Sequence, residues 1–356
     1  MNTLGHRIAE LIGAEGPLSV AQFMSLCLYD PEGGAYAAGE PIGQHFITAP
    51  EISQAYGELA GLWVAQTWLD QGRPDRPRLM ELGPGRGTLM ADALRALKVV
   101  MPDFLDGAEI VLIESSPGLQ RRQETALAGH DRVRWHKHFG DVPADRPLFL
   151  IANEFFDCLP VRQFVKTEKG WCERMVIVRE GKLAFAVAPA AIDPSLLPPD
   201  RVEAPEGGFY EVSPASLALA AEIAATIAAC GGGGLIIDYG YDGPGYGETL
   251  QAVAGHAYAD VLVDPGKVDV SAHVDFVALT RAVRAGGAAA HGPVPQGRFL
   301  QALGMAARAE RLIAANPGQA DAIAAAIDRL VNPDKMGSLF RALGVAPKNA
   351  PPLPGF

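Results

Sequence analysis

The stretch LMELGPGRGTLM, residues 79–90, sets a carboxylate and three alternate glycines directly behind an apolar run. The apolar residues around Glu81 read as a buried strand, and TLMADALRALKVV after Gly87 reads as a helix. The glycines therefore fall where a strand hands over to a helix. Glycine there lets the backbone turn sharply and approach a ligand closely, and the helix N-terminus offers unpaired N–H groups. Outward from this point the alternation repeats. EIVLIE (109–114) is a second strand, PGLQRRQETALAG a helix, and RVRW and LFLIAN further strands. Strand and helix in alternation predict an α/β fold, a parallel sheet with crossover helices.

Two ligand classes use such a turn. A dinucleotide fold wants G-x-G-x-x-G/A, but counted from Gly83 the third slot is Thr88, and Gly87 falls one position early. The spacing is instead E-x-G-x-G-x-G over Glu81, Gly83, Gly85 and Gly87. That is the first motif of the class I methyltransferases, whose cofactor is S-adenosyl-L-methionine (SAM), so a Rossmann-like methyltransferase fold is expected. Charge supports it: SAM carries a sulfonium and an ammonium, whereas a pyrophosphate would be repelled by Glu81. A nicotinamide enzyme is disfavoured by Thr88. Glu114, at the end of the second strand, can accept hydrogen bonds from ribose hydroxyls or can cap the next helix together with Ser115 or Ser116. The fourth strand ends in NEFFDC. Ligands gather at the carboxyl ends of strands in open α/β sheets, and Asn153, Glu154 and Asp157 place an amide and two carboxylates there. The alternative for these three is a solvated acidic loop or a helix N-terminus that favours acids.

After Asn153 the rhythm changes. Residues 161–207 alternate with period two around the turn dipeptides Lys169-Gly170 and Glu180-Gly181, which predicts an antiparallel insertion. The α/β pattern is expected to resume at GFYEVS, with residues 76–160 and 208–292 forming the SAM-binding core. Residues 1–75 are expected as an N-terminal helical segment packing on that core, with one helix over 51–70. A helical insertion is expected over 293–335, and residues 336–356 complete the core. With 356 residues, 49% of them hydrophobic, the chain can bury a substantial core. Its net charge of −11, with no Lys/Arg block, disfavours nucleic acid and acidic membrane surfaces as partners. No apolar run reaches the ~18 residues of a membrane helix, and no signal peptide is legible, which points to a cytoplasmic protein. Cys27, Cys158, Cys172 and Cys230 are dispersed and read as small core residues, without a zinc site or disulfide frame. His136 and His138 alternate like outward strand residues, and no metal is expected.

With these motifs in hand, the chain resembles the MidA family, methyltransferases that include a mitochondrial complex I assembly factor. GPLSVAQFMSLCLYDPEGGAY, FITAPEISQAYGELAGLW, ELGPGRGTLMADALRAL, NEFFDCLPVRQF, IIDYG, DVSAHVDFVALTRA and MGSLFRAL match family segments in order, nearly end to end. Gln44-His45 departs from the Gly-Asp usual in the family before F-x-T-x-P-E-I-S. The resemblance implies SAM-dependent protein arginine methylation of a respiratory complex I subunit during assembly, with a homodimer left open. Arginine chemistry suits the site independently: a guanidinium stays protonated in water, so carboxylates must orient it and offset its charge before it can attack a methyl carbon. Glu154 and Asp157 are the candidates for that role, with Asn153 near the methyl donor.

Other residues keep two readings. Thr48, Glu51 and Ser53 in ITAPEIS cap a helix or make a cofactor or lid contact. His273 is a substrate-site residue or a structural one. Asp238 and Tyr239 face ligand at the edge of the fifth strand or serve the core. Residues 161–208 and 296–331 are expected to form the wall that holds a protein partner, because additions to a sheet fold carry specificity while the sheet carries the cofactor. The alternatives are a methyltransferase for a small molecule or another protein nitrogen, and a SAM-binding assembly scaffold.

Overall fold

The computed structural model describes residues 1–38, 47–197, 204–243 and 245–356; Gln44 and His45 lie outside them. The chain divides into two compact units, the larger drawn from Ile47–Phe156, Leu217–Gly240 and Phe276–Phe356.

The larger unit is built on one twisted sheet. Its strands are β1 (Arg78–Leu82), β2 (Glu109–Ile113), β3 (Val133–His136), β4 (Leu148–Asn153), β5 (Gly232–Tyr241), β6 (Ala289–Pro295) and β7 (Phe340–Ala346). They lie in the order β3-β2-β1-β4-β5-β7-β6. The pairs from β3 through β5 are parallel, while β5–β7 and β7–β6 are antiparallel. Every residue of β1 and β4 is buried, as expected of central strands covered on both faces. The alternation in the sequence thus becomes a parallel sheet, and β7 alone runs against it, with β6 beyond it again in the common direction.

Helices α1 (Ala49–Ile52), α2 (Gln54–Asp70), α3 (Thr88–Val100) and α4 (Pro117–Ala126) belong to this unit. Residues 49–70 are therefore two helices and not the single one expected. Ser53 is extended (φ −156°, ψ 131°), and its hydroxyl accepts from Ala55 N, capping α2 and stopping α1. Helices α2 and α3 press closely together: a Cβ on Gly57 would sit 2.7 Å from the Asp92 Cβ. That contact seats the N-terminus of α3, and with it the glycine loop. Trp63, Leu59, Leu79, Leu94, Phe149 and Ile237 fill the core between helices and sheet. The helices Gln296–Ala302, Met305–Ala315 and Ala320–Val331 share this core through Phe299, Leu312 and Leu330.

The smaller unit comes from Met1–Phe46, Asp157–Ser216 and Tyr241–Asp275. Leu18–Ser19 pairs antiparallel with Gly170–Arg179, which also pairs with Arg162–Thr167 and Lys182–Ala191; Arg162–Thr167 in turn pairs with Phe209–Val212. Glu180 and Gly181 close their hairpin with φ 52° and 73°, the signs a two-residue type I′ turn requires. Helices Thr3–Glu15 and Val20–Tyr29 pack with these strands through Leu4, Phe23, Val161, Val176, Leu250 and Val270.

That shared core redraws the expected division. Residues 1–38 separate from 47–70 and join the inserted strands, and GFYEVS and 241–275 leave the sheet unit for the same reason. Periodicity assigns an element's type, but only burial assigns its partner. Cys27 and Cys172 are buried while Cys158 and Cys230 are partly exposed, and all four are free thiols. No helix among the described residues is long and apolar enough to cross a membrane.

Candidate active site

At the end of β1 the chain enters three left-handed glycines, with φ 56° at Gly83, 54° at Gly85 and 83° at Gly87. A side chain at any of them would be strained. Gly83 N donates to Ile113 O of β2, and Gly87 N donates to Pro84 O before α3 begins. Gln123 of α4 holds this loop from below. Its Nε2 donates to Gly85 O (2.8 Å) and to Glu114 Oε2 (3.0 Å), while Trp135 Nε1 donates to its Oε1 (2.9 Å). Glu114 Oε1 accepts from Ser116 N (2.8 Å), and Ser116 caps α4 through Leu119 N. Glu114 thus does the helix-start task and also ties α4 to the glycine loop.

Glu81 is the exception in this well-paired neighbourhood. It is buried, and its Oε2 has no hydrogen-bond partner in the protein. Burial, and then the charge of Glu114, push its carboxyl up to about 8, against a smaller opposing effect of the Met90 N–H. Burial also raises Glu114, but the N–H groups of Ser116 and Ser115 and the Gln123 amide favour its charged form. A buried carboxylate oxygen lacking a donor calls for a cationic N–H donor, because an unmet buried acceptor costs about 1–3 kcal/mol. The ammonium of SAM meets that need, and a pyrophosphate does not. The residues present therefore fit SAM: Glu81 would face its ammonium, and the glycines would let its body lie on the backbone.

Next to this loop lies the end of β4. A Cβ on Gly83 would come within 2.7 Å of Phe155 Cδ2, so the glycine loop and the NEFF turn touch. Glu154 itself is left-handed, with φ 49°. For a non-glycine residue this costs of order 1 kcal/mol or more, and such strain persists where surroundings over-determine it, most often at functional sites. Here Glu154 N donates to Ile237 O, and Asp238 Oδ2 accepts from Phe155 N (3.1 Å) and Phe156 N (2.9 Å). Glu154 Oε1 accepts from Asn153 Nδ2 (3.0 Å) and from Ala49 N of α1 (2.8 Å). Helix α1 reaches the cofactor side too: Thr88 Oγ1 donates to Glu51 Oε1 (2.6 Å), and Arg86 lies 3.8 Å from Glu51 Oε2.

The expected residues separate accordingly. Glu81, Gly83, Gly85, Gly87, Glu114, Asn153 and Glu154 gather at the carboxyl edge of one sheet. Thr48 stands half-buried at the start of α1, and its side chain makes no capping hydrogen bond. Asp238 is fully buried, with its carboxylate engaged by backbone amides of the NEFF turn; it braces the site from behind. Asp157 and His273 belong to the smaller unit. There the Asp157 carbonyl accepts from Ala272 N, His273 N donates to Thr249 Oγ1, and burial lowers the His273 imidazole. Gln123 and Tyr56 escaped the sequence reading. Their only signal was a polar group on an otherwise apolar helical face, a pattern that most buried helices share.

Residues 59–294 match the family of SAM-dependent methyltransferases. The chain is 37% identical to the protein arginine methyltransferase NDUFAF7, mitochondrial, of Mus musculus, over 94% of its own length and 82% of the relative's. Against the Homo sapiens protein of the same name it is 34% identical, over 94% and 81%. A crystal structure from Burkholderia thailandensis bound to S-adenosyl-homocysteine superposes with a TM-score of 0.86 at 28% identity, covering 99% of this chain and 93% of that one. The chain belongs to the MidA-type family of SAM-dependent methyltransferases. SAM is the cofactor of this methyltransferase, and its sulfonium supplies an activated methyl group. Glu81 and the glycine loop would bind and orient it, and Asn153 and Glu154 lie at the strand end beside them, where ligands gather in open α/β sheets.

Proposed function

We propose that this methyltransferase N-methylates an arginine side chain of a protein, with a respiratory complex I subunit as the target. The observation that carries the reading is Glu154: a carboxylate in a strained left-handed backbone, aimed by two donors on one oxygen, beside the glycine loop. A guanidinium is planar, cationic and matched to a carboxylate, so such a group fixes its plane and offsets its charge. As the N–CH3 bond forms and the S–CH3 bond breaks, one nitrogen loses a proton, and Glu154 can accept it. The relatives named protein arginine methyltransferase support this class of acceptor, and the resemblance to the MidA family supports complex I. Glu114, Gly83, Gly85 and Gly87 are the cofactor contacts of the proposal.

The test is incubation with labelled SAM and purified complex I subunits, followed by peptide mapping. Label on arginine supports the reading; label on lysine or histidine, or on small molecules only, replaces it. Glu154→Gln keeps shape and removes charge. It should bind SAM within a few-fold of wild type and lower turnover by roughly 100- to 10,000-fold, the usual range for such groups. Assembly of complex I rescued equally by wild type and Glu154→Gln, with no methylarginine in the partner, would point to a scaffold.

A further inference from the structure

Tyr56, on α2, is buried, and its hydroxyl donates to Asn153 Oδ1 at 2.5 Å. Gln296 Oε1 is the other acceptor in reach, at 3.5 Å, but its own amide is turned to Leu330 O. A phenol has one proton, and the near oxygen takes it. The orientation of the Asn153 amide then follows. Its Nδ2 must face the Glu154 carboxylate, because a carboxylate accepts only and would repel Oδ1. Turned the other way, the amide would offer its oxygen to Glu154.

We propose that Tyr56 is a positioning residue for methyl transfer: its hydroxyl sets the Asn153 amide, and that amide aims the Glu154 carboxylate. The proposal rests on the reading that Glu154 acts in the reaction. Hydrogen bonds in such a chain polarise one another, so loss of the first loosens the last. Burial, followed by the charges of Glu154 and Asp238, holds the Tyr56 phenol well above its ordinary range, so it remains a donor at any pH the enzyme meets.

Tyr56→Phe tests this, since the ring and its packing stay. With 15N-asparagine labelling only five side-chain amides report, and Asn153 is identified by its absence in Asn153→Asp. With S-adenosyl-homocysteine as the probe ligand, the Asn153 amide protons should exchange at least tenfold faster in Tyr56→Phe, while affinity stays within twofold. On the acceptor peptide mapped above, kcat should fall at least tenfold with KM within twofold. Added to Glu154→Gln, Tyr56→Phe should lower turnover less than twofold further, because the carboxylate it aims is gone. Unchanged exchange at Asn153, an unchanged kcat, or losses that multiply in the double variant would each overturn the proposal. Wild-type turnover in Glu154→Gln overturns the reading beneath it, whereas a wild-type rate in Tyr56→Phe with a crippled Glu154→Gln overturns Tyr56 alone. If Tyr56→Phe does not fold, Asn153→Asp serves: an acid there cannot hold Glu154 by an amide N–H, and kcat should drop with KM little changed.

Discussion

Glu81 turns the cofactor's charge into a pH dependence. Its carboxyl is pushed up to about 8 in the folded protein, so below that pH the ligand-free protein holds a proton there. A cationic cofactor favours the ionised form, and binding must release that proton. Affinity for S-adenosyl-homocysteine should therefore rise about tenfold per pH unit below 8. It should level off above that, where the ligand's own α-amino group, near 8, begins to lose its charge. Calorimetry in two buffers of different ionisation enthalpy should show nearly one proton released at pH 7 and none in Glu81→Gln. Without ligand the sign is opposite for the fold: the raised carboxyl adds stability at acid pH that is lost progressively as pH climbs from 4.5, the ordinary glutamate value, to about 8, and Glu81→Gln should flatten that decline. At Gly83 both space and backbone object to a side chain. Gly83→Ala should weaken S-adenosyl-homocysteine binding by at least tenfold, and unaltered affinity in the same titration would contradict the assignment of this loop. These residues were legible because their spacing is local. Tyr56 and Gln123 were not, since folding brings them to residues far away in the chain, Tyr56 to Asn153 and Gln123 to Gly85.

Among the elements, α1 is the one whose role periodicity hid. It is a single turn between Thr48 and Ser53, too short to show a helical pattern, yet its backbone and Glu51 touch both the NEFF turn and Thr88. Ser53→Ala removes the cap that separates it from α2 and should destabilise the protein by about 1 kcal/mol in urea unfolding. A second tie joins α2 to helix Met305–Ala315. Buried Glu58 accepts two bonds from Arg308 and one from Arg95 of α3. These pairs and surrounding hydrogen bonds hold its carboxyl below the ordinary range despite burial. Removing one partner of a buried pair costs about 3–5 kcal/mol. Both guanidiniums here reach solvent, which screens them, so Glu58→Ala should lose roughly 1–3 kcal/mol. The loss is read as a lower denaturation midpoint, and a wild-type midpoint would show that apolar packing alone holds this helix. The last-named helices were readable as helices from their apolar spacing; that they extend the sheet unit's core was not.

For the whole molecule, the division into two units changes what an excision would do. The strands of 161–207 read along the sequence as an antiparallel insertion, but Val161, Val176 and Leu183 share one apolar core with Leu4, Ile8 and Phe23 from the start of the chain. Shortening them would strip the N-terminal helices of their partner. Val176 is fully buried in that core. Val176→Asp should raise hydrogen exchange together in residues 1–38, 157–197 and 245–275, while β1 to β5 stay protected. Exchange confined to the strand itself would show that the three segments do not fold as one unit.

What the sequence by itself determined is the sheet unit's frame and its cofactor class. Alternating strands and helices, and a carboxylate with three glycines in register, are short-range patterns that backbone sterics and charge make decipherable. Tertiary structure alone decided which segments share a core, that Glu81 Oε2 is left without a donor, and that Tyr56, Asn153 and Glu154 form one chain of hydrogen bonds. Burial and pairing of that kind depend on distances between residues far apart in the chain, and a pattern read along the chain carries no such distances.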